Sequence, residues 1–127
     1  MRRQRRRRSR RGFSLFEIKV AVVLIGVVAT LVVSASVKAR KLSQGRWILD
    51  DCRQMDVAID QWAIETGQKA GNTIDTTGAQ RHLKTGWSTV DLLGNPYNVT
   101  VVGETQISIN SATKASLAGV GIDWGAY

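Results

Sequence analysis

Residues 12–25 read Gly-Phe-Ser-Leu-Phe-Glu-Ile-Lys-Val-Ala-Val-Val-Leu-Ile: a glycine closing an arginine-rich tract, then an apolar run carrying one early carboxylate, Glu17. On insertion scales a carboxylate inside a membrane-spanning helix costs about 2.5 to 3.5 kcal/mol, so Glu17 demands a partner or a purpose. The run continues to Val37, apolar except for Ser14, Glu17, Lys19, Thr30, Ser34 and Ser36. That is about the length a bilayer requires of a helix. Its many valines and isoleucines mildly disfavour helix in water. In hydrocarbon, however, a single segment must satisfy its own backbone hydrogen bonds, and only a helix does so.

The flanking charge is local. Of a formal net charge of +8, the eight arginines among residues 2–11 supply the whole excess, and from Gly12 onward acids and bases balance. Such a block can bind nucleic acid or anionic lipid. Beside a hydrophobic segment, the positive-inside rule makes it a topogenic leader on the cytoplasmic flank, with the rest of the chain facing outward. Nucleic-acid binding is not expected of the mature chain. The single cysteine, Cys52, allows no intrachain disulfide and says little about the compartment.

Beyond the apolar run a second periodicity takes over. Ile48, Cys52, Met55, Ile59, Trp62 and Thr66 recur at alternating steps of four and three, placing them on one helical face, while Asp50, Asp51, Gln54, Asp60 and Gln61 lie mostly off it. One helix is expected through both regions, stopped by Gly67 at the C′ position. Gly45 reads as a weak point inside it, costing about 1 kcal/mol relative to alanine. The expected organisation is a basic leader (residues 1–12), a membrane-spanning or filament-core half-helix (13–37), an amphipathic half-helix (38–66) and a small head (67–127). The head is too small for a sizeable core of its own and must pack on the amphipathic half. Within it, Thr77-Gly-Ala-Gln80 suggests a capping box opening a short helix through Lys84, and Asp91-Leu-Leu-Gly-Asn-Pro-Tyr97 carries turn residues. Val99 and Val101, then Ile107 and Ile109, alternate with polar residues as half-buried strands do. A three-residue loop would set Val101 opposite Ile107 and Val99 opposite Ile109, a two-residue loop Val101 opposite Gln106; facing apolar pairs favour the former. Val120, Ile122 and Trp124 form a candidate third strand. The fold class is α+β, a long N-terminal helix against a small antiparallel sheet.

These residues resemble the type IV pilin and pseudopilin superfamily. The matching elements are the basic leader ending in Gly12, then Phe13-Ser-Leu-Phe-Glu17, then a valine- and isoleucine-rich span with Gly26. Lys38-Ala-Arg40 through Ser43-Gln44, Cys52, Arg53-Gln54 and Gln61-Trp62-Ala-Ile-Glu65 are similar to a bacterial pilin-like subgroup, and Gly94-Asn95-Pro96-Tyr97 to the turn before the sheet in secretion pseudopilins. The resemblance covers the first 65 residues well and the tail loosely. It implies cleavage after Gly12 by a prepilin peptidase, N-methylation of Phe13 and a role for Glu17 in assembly. It also implies a structural subunit without a cofactor, held in the bacterial inner membrane with its head in the periplasm. The expected partners are the peptidase, an assembly platform, other pilin-like subunits and further copies of the chain. Cleavage would leave a cationic amine on Phe13, which Glu17 of a neighbouring copy can pair, fixing the axial stagger of subunits. Two positions depart from the family pattern. Lys19 stands in the span, where it can snorkel or compete for Glu17. Ser34 stands where many pilins have a helix-disturbing proline, which predicts a straighter helix.

Other chemistries compete for the same residues. Ser9-Arg10-Arg11-Gly12-Phe13 also looks like a twin-arginine export signature, and Ser34-Ala35-Ser36 like a signal-peptidase site, which would yield a soluble periplasmic protein starting near Val37. Glu17 and Lys19 interrupt the apolar region that such a signal needs. No carboxylate pair is spaced for acid and base roles, His82 is the only histidine, and Cys52 lies on the apolar stripe, so an enzyme is not expected. Asp91 and Asn95 offer two oxygen donors, short of the six or more that calcium takes, and read as a turn rather than a metal site. Trp62 and Trp124 read as core, and Trp47, beside Arg46, as a subunit contact.

Overall fold

The computed structural model describes residues 12–127. The arginine tract up to Arg11, and with it most of the expected leader and the Ser9-Arg10-Arg11 motif, lies outside them. The elements are helix α1 (Leu15–Thr66), helix α2 (Thr76–Ala79) running into a 3-10 turn (Gln80–His82), strands β1 (Asn98–Val99) and β2 (Ile107–Ser108), and helix α3 (Ser111–Ser116). The chain divides into two units between Ser36 and Val37.

In the first unit α1 is helical from Leu15 without a break, through Ser34 as well. Its polar side chains turn back on their own backbone: Thr30 Oγ1 donates to the Val27 carbonyl at 2.7 Å, Ser34 Oγ to Leu31 at 2.9 Å and Ser36 Oγ to Val32 at 2.9 Å. Hydroxyls satisfied in this way do not need water.

In the second unit the expected stripe is the spine of the core. Ile48, Cys52, Met55, Ile59 and Trp62 are buried, and Leu49, Ala58 and Ala63 widen the face. Thr66 does not join them; it is exposed and donates to the Trp62 carbonyl at 2.7 Å. Two clusters build on this face, one with Tyr97, Ile107, Ile109 and Leu117, the other with Ile74 and Ala79, and Trp87 and Val99 pack against both. At about 1.5 to 3 kcal/mol for each large apolar side chain fully buried, Ile48, Met55, Ile59 and Ile107 hold the head to its helix. Gly67 ends α1 as expected, with φ 66°. Its amide bonds the Ile64 carbonyl at 3.4 Å and the Gln68 amide bonds Ala63 at 2.8 Å, the paired closure of a Schellman motif.

Four expectations about the second unit are corrected. The strand pairing is antiparallel, but Val99 faces Ile107 and Asn98 faces Ser108, neither of the two registers anticipated. Val101 is drawn away to bridge Thr73, with the Val102 amide on the Asn72 carbonyl and the Gly71 amide on Val102, both within 3.0 Å. Thr100 Oγ1 then closes the wider loop on the Thr105 carbonyl at 2.7 Å. Relative to the favoured register the shift is two residues, which preserves side-chain parity, so Ile107 and Ile109 still point inward. Secondly, Val120–Trp124 is not a strand, because Gly119 and Gly121, at φ 81° and 73°, break the extended path. Ile122 and Trp124 pack on the core from a loop instead. Thirdly, the cap of α2 is Asp75, whose carboxylate accepts from the Thr77 amide at 3.0 Å, and the helical stretch ends at His82 rather than Lys84.

The fourth concerns Gly45, whose missing side chain is also the space that Ile122 fills. It is buried, and a Cβ there would collide with Ile122 Cδ1 and lie 3.1 Å from Ile122 Cγ1 and 3.5 Å from Trp124. Gly45→Ala gains about 1 kcal/mol of helix propensity and incurs an overpacking cost of about 1 to 3 kcal/mol. It is therefore expected to be neutral or destabilising in the wild-type background, and stabilising by about 1 kcal/mol once Ile122→Ala has opened the space. Denaturant unfolding of the four variants of this double-mutant cycle, as full chains in detergent, reads the change of sign.

Candidate assembly surface

Before α1 begins, Gly12, Phe13 and Ser14 are exposed and non-helical. Ser14 Oγ accepts from the Glu17 amide at 3.2 Å, so Ser14 is the N-cap and Ser14-Leu-Phe-Glu17 has the serine and glutamate spacing of a capping box. The Glu17 carboxylate lies in the first turn, where the helix dipole favours an anion. Among the described residues it has no ion partner. Lys19 does not compete for it within the chain: residues two apart on a helix point to different sides.

The residues on either side of this cap carry the largest anomaly of the molecule. Phe13, Leu15 and Phe16 are 78%, 77% and 76% exposed, and exposed apolar side chains continue through Val33 and Val37. Soluble monomers rarely expose a contiguous apolar patch above a few hundred Å². The helix is long and apolar enough to cross a membrane, and none of its most apolar window is buried.

The head's own face is different. Flanking the apolar stripe, three aspartates of α1 receive hydrogen bonds from the head: Asp51 from Tyr97 at 2.9 Å, Asp56 from Tyr127 at 3.1 Å and Asp60 from Gln106 at 2.6 Å. Sequence reading placed Asp51 and Asp60 off the apolar face but missed this rim. Carboxylates beside a stripe, with tyrosines far along the chain, are the signal available for it. Burial and these carboxylates push the Tyr97 and Tyr127 hydroxyls above the usual phenolic range. Burial, then Asp51, Asp56 and Asp91, pushes the Cys52 thiol up to about 12. Cys52 is thus a fully buried thiol, unsuited to nucleophilic work. His82 is turned to Glu65, its Nε2 3.3 Å from the carboxylate.

These raised values link stability to alkaline pH. In the folded head the thiol and the phenols keep protons that the unfolded chain releases near its ordinary 9.0 and 10.0. Their contribution is complete below pH 9 and is lost as pH rises toward 12. The denaturation midpoint is expected to fall steadily from pH 9, and Cys52→Ala to delay the onset to about pH 10, where tyrosine titrates.

Asp91, weighed in the sequence as a turn residue, is buried at the centre of that turn. Its Oδ1 accepts from the Leu93 and Asn95 amides at 2.8 and 3.0 Å, and its Oδ2 from the Thr113 hydroxyl. Asn95 Nδ2 donates to Thr113 Oγ1 at 2.9 Å. On the outside, Trp47 is 68% exposed beside Arg46, whereas Trp62 is buried and Trp124 half-buried, so Trp47 alone of these three is free for a partner.

A long N-terminal helix, apolar and exposed in its first part and clothed by a small α+β head in its second, is a pilin-like architecture. The chain is 30% identical to the type II secretion system core protein G of Klebsiella michiganensis over 63 residues, which are 50% of this chain and 44% of that protein. The match thus spans less than half the length of that relative. No family model matches the chain. No solved structure matches it.

Proposed function

We propose that the chain is a non-enzymatic structural subunit of a helical filament, a type IV pilus or a type II secretion pseudopilus. It waits in the bacterial inner membrane with its head in the periplasm. The observation that carries this reading is the exposed apolar helix surface from Phe13 to Val37, which lipid covers before assembly and sister helices cover after it. The likeness to a type II secretion core protein supports it. Prepilin peptidase cleaves between Gly12 and Phe13 and methylates the Phe13 amine. Access to that bond is supported by its exposed, non-helical setting. Glu17, already favoured at its place in the first turn, pairs the new amine of a neighbouring copy and sets the stagger. An assembly platform and other pilin-like subunits complete the machinery.

The twin-arginine alternative requires a peptidase to cut near Ser36, where the backbone is helical and the Ser34 and Ser36 hydroxyls are bonded to it. N-terminal sequencing and mass spectrometry of the mature protein separate the two. N-methyl-Phe13 is the expected start, and a start near Val37 overturns the filament reading.

A further inference from the structure

We propose that the groove between α1 and the Thr85–Tyr97 segment of one copy receives Lys38 and Lys41, which share one side of the basic band, from a second copy, adding a charge register at head level. The inference rests on the filament reading and names the surfaces that meet in it.

The charges of the head's helix are segregated. Lys38, Arg40, Lys41 and Arg46 come first, then Asp50, Asp51, Asp56, Asp60 and Glu65, interrupted only by Arg53. Neither band is neutralised from within: among the described residues the one ion pair is His82 with Glu65. Even Arg46 and Asp50, at the four-residue spacing where helical pairs meet, do not pair. Two copies packed level would set cations against cations and carboxylates against carboxylates. Shifting one copy by eleven residues, about 16 Å of helix, sets Lys38–Lys41 beside Asp50 and Asp51. Single exposed pairs contribute little affinity, but opposed bands exclude wrong alignments, and specificity is what a register needs.

The groove suits such side chains. It has a volume of about 470 Å³, and its lining includes the Asp50 and Asp51 carboxylates, Trp47, Val90 and Leu92. The three apolar residues are 68%, 50% and 59% exposed, left open by the described residues. Lysine and arginine stems lie well on apolar walls while their heads reach carboxylates, and an indole face adds cation–π attraction. Among the described residues Arg46 is the only cation in the lining. The displacement has the same sense as that of the Glu17 pairing, but at about 16 Å against about 6 Å it is longer, so the two contacts are made with different neighbours in the filament.

Full-length Lys41→Cys/Asp50→Cys is expressed in cells that assemble the filament and then oxidised. Within one copy the two positions are nine residues apart on a helix, about 13 Å, too far for a disulfide. A reducible ladder of oligomers, with no dimer from either single-cysteine variant, is therefore expected if the bands of different copies meet. Sheared, sedimentable polymer of the wild-type chain reports the filament independently. Polymer without a ladder overturns this inference and leaves the filament reading standing, while no polymer overturns both. As a second arm, Lys38→Glu/Lys41→Glu is expected to reduce polymer about tenfold or more, and added Asp50→Lys to restore most of it. Undiminished polymer from the first variant, or no recovery in the second, sinks the charge register.

Discussion

Glu17→Gln is expected to reduce incorporation into the filament by roughly 100-fold or more, while membrane insertion and removal of the arginine tract proceed as in the wild type. The substitution isolates charge from helix chemistry. Glutamine at the third helical position serves a capping box as glutamate does, and Ser14 Oγ still accepts the amide of residue 17, a bond that the side chain does not make. What disappears is the anion proposed to neutralise the Phe13 amine of a neighbour inside an apolar polymer. Leaving one member of a buried pair without its mate costs about 3 to 5 kcal/mol, and each 1.4 kcal/mol is tenfold in an equilibrium. Ser14→Ala is the contrasting variant. It removes the cap, for about 1 kcal/mol, and keeps the charge, so it should lower polymer yield several-fold at most. Quantifying sheared polymer against membrane-inserted subunit for both variants separates a register from a cap. Equal losses would assign Glu17 to helix initiation alone.

The course of the helix could be read in the sequence because one repeating physical demand fixes it. Ile48, Cys52, Met55, Ile59 and Trp62 fall on a single face, and all are buried. Gly67, with a positive φ, closes the last turn. The cap at the other end was equally present in Ser14-Leu-Phe-Glu17, but the membrane cost of the carboxylate drew the reading away from the local spacing. The head was legible only in its parity. Which apolar residues point inward follows from alternation, but the register depends on a third segment, Asn72–Thr73, capturing Val101 and Val102. No pattern within the hairpin encodes that capture. Gly45 was read only in part for a related reason: propensity sees a glycine's backbone entropy but not the loop that lands on it 77 residues later, where Ile122 fills the missing Cβ. The Asp51, Asp56 and Asp60 rim was hidden in the same way, its donors lying 46 to 71 residues downstream.

Asp91→Ala is expected to destabilise the head by about 3 to 5 kcal/mol, because three donors lose one acceptor at about 1 to 3 kcal/mol each. One carboxylate holds three donors in this turn: two amides that fold the Asp91–Asn95 loop around Gly94, at φ 83°, and the Thr113 hydroxyl that ties the loop to α3. Asp91 and Thr113 are 6% and 0% exposed, so water cannot replace the lost acceptor without opening the turn. Asp91→Asn tests the partition. Its carbonyl can still receive the Leu93 and Asn95 amides, but its NH₂ would meet a Thr113 oxygen that already accepts from Asn95, leaving the hydroxyl proton without an acceptor. One orphaned donor costs about 1 to 3 kcal/mol, so asparagine should fall between wild type and alanine. In a domain of this size each kcal/mol is worth about 4 to 8 °C in Tm. The full chain in detergent, followed by tryptophan fluorescence, should therefore lose about 12 °C or more with alanine and visibly less with asparagine. Matching losses in the two variants would mean that the turn depends on the negative charge itself rather than on the geometry of its three bonds.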